Sequence, residues 1–267
     1  MKGLVEVAGG SITGRDHLLV GKNNQDAYYW VNSDELAIAV VCDGCGSGAH
    51  SEVGAKIGAV LVVEAIAKAL ASGVVDDAFW QQVQQNVLIQ LQSLAKAMGS
   101  NLYRTVSNYF LFTIVGALVT PTEALVFSIG DGVIIVNGKL MQIGPFPGNA
   151  PPYLAYDLVN TAAESLPFQV HERLPIEQLK SILIGTDGIS DLLKIEACNL
   201  PGKEDKVGEI NQFWQEDRYF KNPDMIRRHL SLINRHITKP DWQNQQVVRE
   251  VGLLPDDTTL IVIRRQH

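Results

Sequence analysis

Four times in this sequence a short apolar run meets an acidic turn. Residues 36–42 (LAIAVVC) run into Asp43-Gly44, residues 124–129 precede Gly130-Asp131-Gly132, residues 181–185 run into Thr186-Asp187-Gly188, and Asp256-Asp257 opens residues 258–263. Unbroken apolar runs of this length read as strands buried on both faces. Such strands need cover on each side, which points to stacked layers. One acidic turn is ordinary, because Asp and Gly suit turns. Four of them at strand ends would converge at one edge of a layered sheet. Carboxylates gathered there repel one another unless a cation lies between them. Hard divalent cations such as Mn²⁺ or Mg²⁺ favour all-oxygen sites of this kind.

The rest of the chain supports an α+β reading. Residues 4–9 and 27–31 read as short strands. Residues 51–71 read as a mostly buried helix whose only charges are Glu52, Lys56, Glu64 and Lys68, with Glu-to-Lys pairs four apart. A second helix is expected over residues 78–98, with Phe79, Val83, Val87, Leu91, Ala95 and Met98 on one face. Residues 110–119, 124–129, 133–136 and 139–143 read as an antiparallel meander, with Asn137-Gly138 as its clearest hairpin turn. Residues 144–175 hold six of the eleven prolines and read as a loop-rich excursion. Residues 191–256 read as mostly helical and carry Arg218, Lys221, Arg227, Arg228 and Arg235.

The 267 residues suit a large globular core, and no apolar run approaches the roughly 20 residues of a membrane-spanning helix. The net charge of −7 disfavours a nucleic-acid binder. Three cysteines make no disulfide framework, and a cytoplasmic setting is expected. Cys42-Asp43-Gly44-Cys45 invites a thiol–disulfide reading, but the aspartate inside the motif opposes a thiolate. A zinc site lacks ligands, since Cys198 is the one other cysteine. Neither phosphate-binding glycine pattern is complete.

Taken in order, six motifs resemble those of the metal-dependent protein phosphatases, the type 2C serine/threonine family. They are Asn24-Gln25-Asp26-Ala27, Val41-Cys42-Asp43-Gly44-Cys45-Gly46, Phe112-Thr113, Ser128-Ile129-Gly130-Asp131, Gly185-Thr186-Asp187-Gly188-Ile189-Ser190-Asp191, and Asp256-Asp257-Thr258-Thr259. The resemblance spans nearly the whole chain. It implies a single domain over residues 1–267 built as an αββα sandwich of two antiparallel sheets flanked by helices. It also implies a flap-like segment near residues 144–176 and an extended helical segment near 192–255.

The resemblance implies hydrolysis of phosphoserine or phosphothreonine in proteins by a metal-activated water, with two to three Mn²⁺ or Mg²⁺ ions. Asp43, Asp187 and Asp256 would ligate the first ion, and Asp43 and the Gly44 carbonyl would reach a second. Asp131, Asp187 and Asp191 would form a third, weaker site. Asp26 would orient the attacking water, which makes Asp26 and Asp43 the catalytic pair. Asp257 is the alternative to Asp256 as ligand. Implied partners are a phosphorylated protein and a cognate serine/threonine kinase; a monomer is expected, with no nucleic acid and no membrane.

Among the departures from the family, two bear on metal and phosphate binding. Gln25 stands where the family has a metal-ligating Glu. The family's phosphate-binding Arg would fall at Gly21, five residues before Asp26. His17 and Lys22 lie nearby and are the candidate phosphate-binding substitutes. These departures raise a second possibility, a phosphoprotein-binding or regulatory module that keeps its metal with weakened turnover.

Overall fold

A computed structural model describes residues 4–70, 73–159 and 167–265. Two five-stranded antiparallel sheets form its centre. The first runs β1 (Val5–Ile12), β12 (Thr258–Arg265), β9 (Ser181–Gly185), β6 (Gly132–Val136), β7 (Lys139–Ile143). The second runs β2 (Asp26–Asn32), β3 (Ala37–Asp43), β4 (Ile114–Val119), β5 (Glu123–Ile129), β8 (Gln169–Pro175). The helices α1 (Arg15–Leu19), α2 (Ser51–Ala69), α3 (Asp77–Met98), α4 (Leu102–Thr105), α5 (Gly188–Lys194), α6 (Gln212–Gln215), α7 (Arg218–Lys221) and α8 (Met225–Ile233) complete the layers, together with a separate hairpin of β10 (Ile237–Asp241) and β11 (Gln246–Glu250).

Strand alternation decides which core each residue enters. Along β3, Ile38, Val40 and Cys42 face α2 and α3, while Ala37, Ala39 and Val41 face the other sheet. Along β12, Leu260 and Val262 join Leu230 and Ile233 of α8, while Ile261 and Ile263 enter the space between the sheets. Each central strand is therefore buried on both faces, which is why its sequence is an unbroken apolar run. The result is helix, sheet, sheet, helix. The small residues Ala37, Ala39 and Ala117 lie in the inter-sheet layer.

Helices α2 and α3 lie close to their expected bounds. Phe79, Val83, Val87, Leu91 and Ala95 are buried as expected, but Met98 is exposed in the last turn. Gly54 lets α2 close onto the chain: a Cβ there would lie 1.6 Å from the Tyr109 carbonyl oxygen.

Four expectations need correction. First, residues 110–112 are not strand. Val106–Phe110 forms a π-helical turn before β4 begins at Ile114; its apolar residues serve the helix-side core, which periodicity cannot distinguish from a buried strand. Second, the expected meander is divided. The chain leaves the second sheet at Gly130 and enters the first at Gly132, so β5 and β6 do not pair. Gly130 and Gly132 have φ of 90° and 148°, a backbone that glycine adopts readily. Third, the proline-rich excursion ends in an edge strand, β8, with a bulge opposite Val126 and Phe127. The middle of that excursion, 160–166, lies outside the described residues. Fourth, the segment after α5 holds only short helices plus the β10–β11 hairpin. Its basic residues are largely satisfied at home: Arg218 pairs with Glu216, Lys221 with Asp217, and both Arg227 and Arg228 with Asp224. Among the described residues no helix is long and apolar enough to cross a membrane.

Candidate metal centre

Register places the acidic turns together. On the second sheet, Asp26 opens β2 directly opposite Asp43 at the end of β3. On the first, Gly185 at the end of β9 pairs with both Leu260 near the start of β12 and Val133 near the start of β6. Asp187, Asp256 and Asp131 therefore leave the first sheet at one end, and Asp43 meets them from the second.

A hollow of about 270 Å³ opens there, lined by His17, Gln25, Asp43, Gly44, Asp131, Asp187 and Asp256, with Cys45, Thr113, Pro151 and Tyr153 among its walls. A smaller hollow of about 180 Å³ shares Asp131, Asp187 and Asp256 and adds Asp191 and Lys194. The two groups expected from sequence thus fall into two adjoining hollows joined by three shared carboxylates. Asp191 is held by Lys194 Nζ at 2.9 Å. A separate surface groove of about 930 Å³ lies elsewhere, beside Asn137, Lys180 and Arg264; of the two acidic hollows, the larger is the one lined by His17 and Asp43. Two acids beside the groove, Glu6 and Asp217, are already paired with Arg264.

The carboxylates hold their protons more tightly than free aspartate. Burial is the largest cause for Asp43, whose pKa stands well above the ordinary range; Asp26, Asp187, Asp256 and Asp131 add repulsion. Asp187 is pushed up to about 6, again by burial first and then by Asp256, Asp131 and Asp191. Its side chain still reaches solvent at the mouth of the hollow. Burial also raises Asp131 and Asp256.

Asp26 lies behind Asp43, only 3% exposed. Its Oδ2 accepts from Thr186 Oγ1 at 2.7 Å, while Oδ1 is buried without a hydrogen-bond partner. A buried orphan oxygen in an all-oxygen cluster of mutually repelling carboxylates is the signature of a site that fits a hard divalent cation.

The adjacent aspartates Asp256 and Asp257 have different surroundings. Asp257 is buried at 3% exposure. Its Oδ1 accepts from Gly14 N at 2.7 Å and its Oδ2 from Gln25 N at 2.6 Å. It anchors the entry to α1 and the entry to β2, while Asp256 lines both hollows. His17, Asp256 and Asp257 also bring ligand atoms within 4.8 Å of one another. The His17 Nδ1–Asp257 Oδ2 distance is 3.0 Å, although the alignment falls short of a hydrogen bond and Nδ1 has no other partner.

The two candidate phosphate binders part company. His17 lines the larger hollow. Lys22 is not among the lining residues of either hollow; its Nζ donates to Gln25 Oε1 at 3.1 Å and to the Gly46 carbonyl at 2.8 Å. Cys42 is buried in the helix-side core, where burial first, and then Asp26 and Asp43, push its thiol well above the usual range. That opposes the thiol–disulfide reading. Tyr153 does not stand out in the sequence as a site residue, and Thr113 stands there only as part of the Phe112-Thr113 motif, with no role. Thr113 Oγ1 accepts from Asp43 N at 3.2 Å, a contact across 70 residues that local pattern does not encode.

A family model described as protein phosphatase 2C matches residues 13–222. Among solved structures, a bacterial serine phosphatase shares 16% identity over 98% of each chain, with a TM-score of 0.57. The catalytic domain of the serine/threonine protein phosphatase PstP, solved in complex with 2 manganese ions, shares 16% identity over 97% of each chain at a TM-score of 0.54. The serine/threonine phosphatase Stp1 from Staphylococcus aureus shares 14% identity, covering 100% of this chain and 98% of its own, at a TM-score of 0.54. At these identities the likeness is one of fold. No curated protein matches at the level of sequence.

Proposed function

The chain belongs to the protein phosphatase 2C family, and from that premise we propose that it hydrolyses phosphoserine and phosphothreonine in protein substrates with the help of Mn²⁺ or Mg²⁺. The observation that carries this reading is the convergence of Asp43, Asp131, Asp187 and Asp256 on one hollow, with Asp191 in the adjoining one. Bound divalent ions supply positive charge for the phosphoryl oxygens and bring the pKa of a water towards neutrality.

The chain's own residues have distinct tasks. Asp43, Asp187, Asp256 and Gly44 would hold metal in the larger hollow, and Asp131, Asp187 and Asp191 in the smaller. Asp26 Oδ1 is an acceptor without a donor, directly across the strand pair from Asp43. It would take the hydrogen bond of the attacking water and fix its direction. Thr186 holds that carboxylate in place through Oδ2. His17, on the wall of the larger hollow, would contact the phosphate. A cytoplasmic setting, a monomeric state and a cognate serine/threonine kinase belong to the same proposal.

A second reading is a metal-binding module that recognises phosphoproteins with little turnover. Its support is Gln25, whose amide oxygen is already engaged by Lys22. The deciding experiment is hydrolysis of p-nitrophenyl phosphate and a phosphothreonine peptide, in Mn²⁺ and in EDTA, by wild type and Asp187→Ala. Turnover that needs Mn²⁺ and vanishes in the variant supports the phosphatase. Mn²⁺ binding without turnover supports the module.

A further inference from the structure

Gln25 is 3% exposed and all four of its polar groups are spoken for. Its backbone N–H donates to Asp257 Oδ2 and its carbonyl accepts from Gly44 N. Its side-chain Nε2 donates to Ser51 Oγ, and its Oε1 accepts from Lys22 Nζ. The amide cannot turn over, because a flipped NH₂ would face the ammonium donor to donor. Lys22 is fixed a second time by the Gly46 carbonyl, on the loop between β3 and α2. Both of its acceptors are neutral oxygens on residues that line the larger hollow.

A standing positive charge therefore rests on the single side-chain oxygen that Gln25 could offer to a metal. A divalent cation on that same oxygen would sit beside the ammonium and be repelled by it. We infer that Lys22 is a built-in cation: from the exposed rim beside Gln25 it keeps any divalent ion off Gln25, and so confines metal to the Gly44 carbonyl and to Asp43, Asp131, Asp187, Asp191 and Asp256. An ammonium there offsets part of the charge of the neighbouring carboxylates. Unlike a metal ion, it supplies no Lewis acidity.

This inference rests on the divalent-metal reading above, and its test separates the two. Bound Mn²⁺ per chain is counted by titration calorimetry and by the electron paramagnetic resonance signal of free Mn²⁺. The proteins are wild type, Gln25→Glu, Lys22→Met and Lys22→Met/Gln25→Glu. In Gln25→Glu alone the new carboxylate would form an ion pair with Lys22, so the single variants are expected to bind the wild-type number of ions. The double variant is expected to bind one more. An unchanged count in the folded double variant overturns the inference, as does a one-ion gain in Gln25→Glu alone. Should the double variant fail to fold, anomalous scattering from Mn²⁺-soaked wild-type crystals decides: an ion on Gln25 Oε1 overturns the inference, and ions confined to the aspartates and the Gly44 carbonyl support it. Wild type that binds no Mn²⁺ at all would instead sink the divalent-metal reading itself.

Discussion

Asp26 and Asp43 stand directly opposite each other across the antiparallel pair of β2 and β3. Like charges in that position destabilise a sheet, and burial is the leading cause that raises both carboxyls. Without metal the pair is therefore a cost to the fold. Asp26→Asn keeps the shape, and its amide oxygen can still accept from Thr186. The variant is expected to melt higher than wild type in EDTA, by about 1 kcal/mol of stability, and to lose at least about 100-fold in metal-dependent turnover. Thermal melting with and without Mn²⁺, alongside p-nitrophenyl phosphate hydrolysis, checks both halves.

Asp187 gives a pH prediction. Its folded pKa is raised from 3.8 to about 6, so the folded protein binds the proton more tightly than the unfolded chain. Stability of the metal-free protein should fall as pH rises from about 4 to about 6. Asp187→Asn should flatten that slope. Saturating Mn²⁺ should reverse it, because ligation requires the deprotonated carboxylate. Melting temperatures across pH 4.5 to 7, roughly spanning that window, in EDTA and in Mn²⁺, measure each effect.

The neighbours Asp256 and Asp257 should fail in different ways. Asp257→Ala leaves the N–H groups of Gly14 and Gln25 without their buried acceptor and is expected to cost about 2–5 kcal/mol. Asp256→Ala is expected to keep a near-wild-type melting temperature in EDTA while weakening Mn²⁺ binding at least about tenfold. Denaturant unfolding and calorimetry on the two variants separate anchor from ligand. Equal losses of stability would contradict this division of roles.

Gly54 offers a purely structural check. A Cβ there meets a backbone oxygen, Tyr109 O, that no rotamer change can move. Gly54→Ala should destabilise by about 1–3 kcal/mol or more, despite the better helix propensity of alanine. Chemical denaturation gives the value.

The helices and the sandwich were legible because α2, α3 and the doubly buried strands carry strong, uninterrupted patterns. The acidic turns were legible because each closes or opens such a strand. The division of the meander was not, since Gly130-Asp131-Gly132 reads equally as a hairpin turn and as a crossing between sheets. Strand β8 stayed hidden because it is a polar edge strand ending in Pro175, with only Leu174 deeply buried. The β10–β11 hairpin is exposed along most of its length and contains Pro240, so it offers no apolar alternation. In the candidate site the aspartates could be named from sequence, but not what each one touches. The separate duties of Asp256 and Asp257 depend on Gly14 and Gln25, more than 200 residues away.

Strand β12 lies between β1 and β9, in the interior of its sheet. The residues it joins, Ile12 and Thr258, are 246 positions apart. A growing chain on the ribosome can make Asp26, Asp43, Asp131 and Asp187 long before Asp256 arrives, yet the first sheet remains split until the latest of its strands slides into the gap. The cleft is thus assembled by the same event that closes the sheet. Chains released early would carry most of the acidic turns and no finished site, and would present unpaired sheet edges on both sides of the gap.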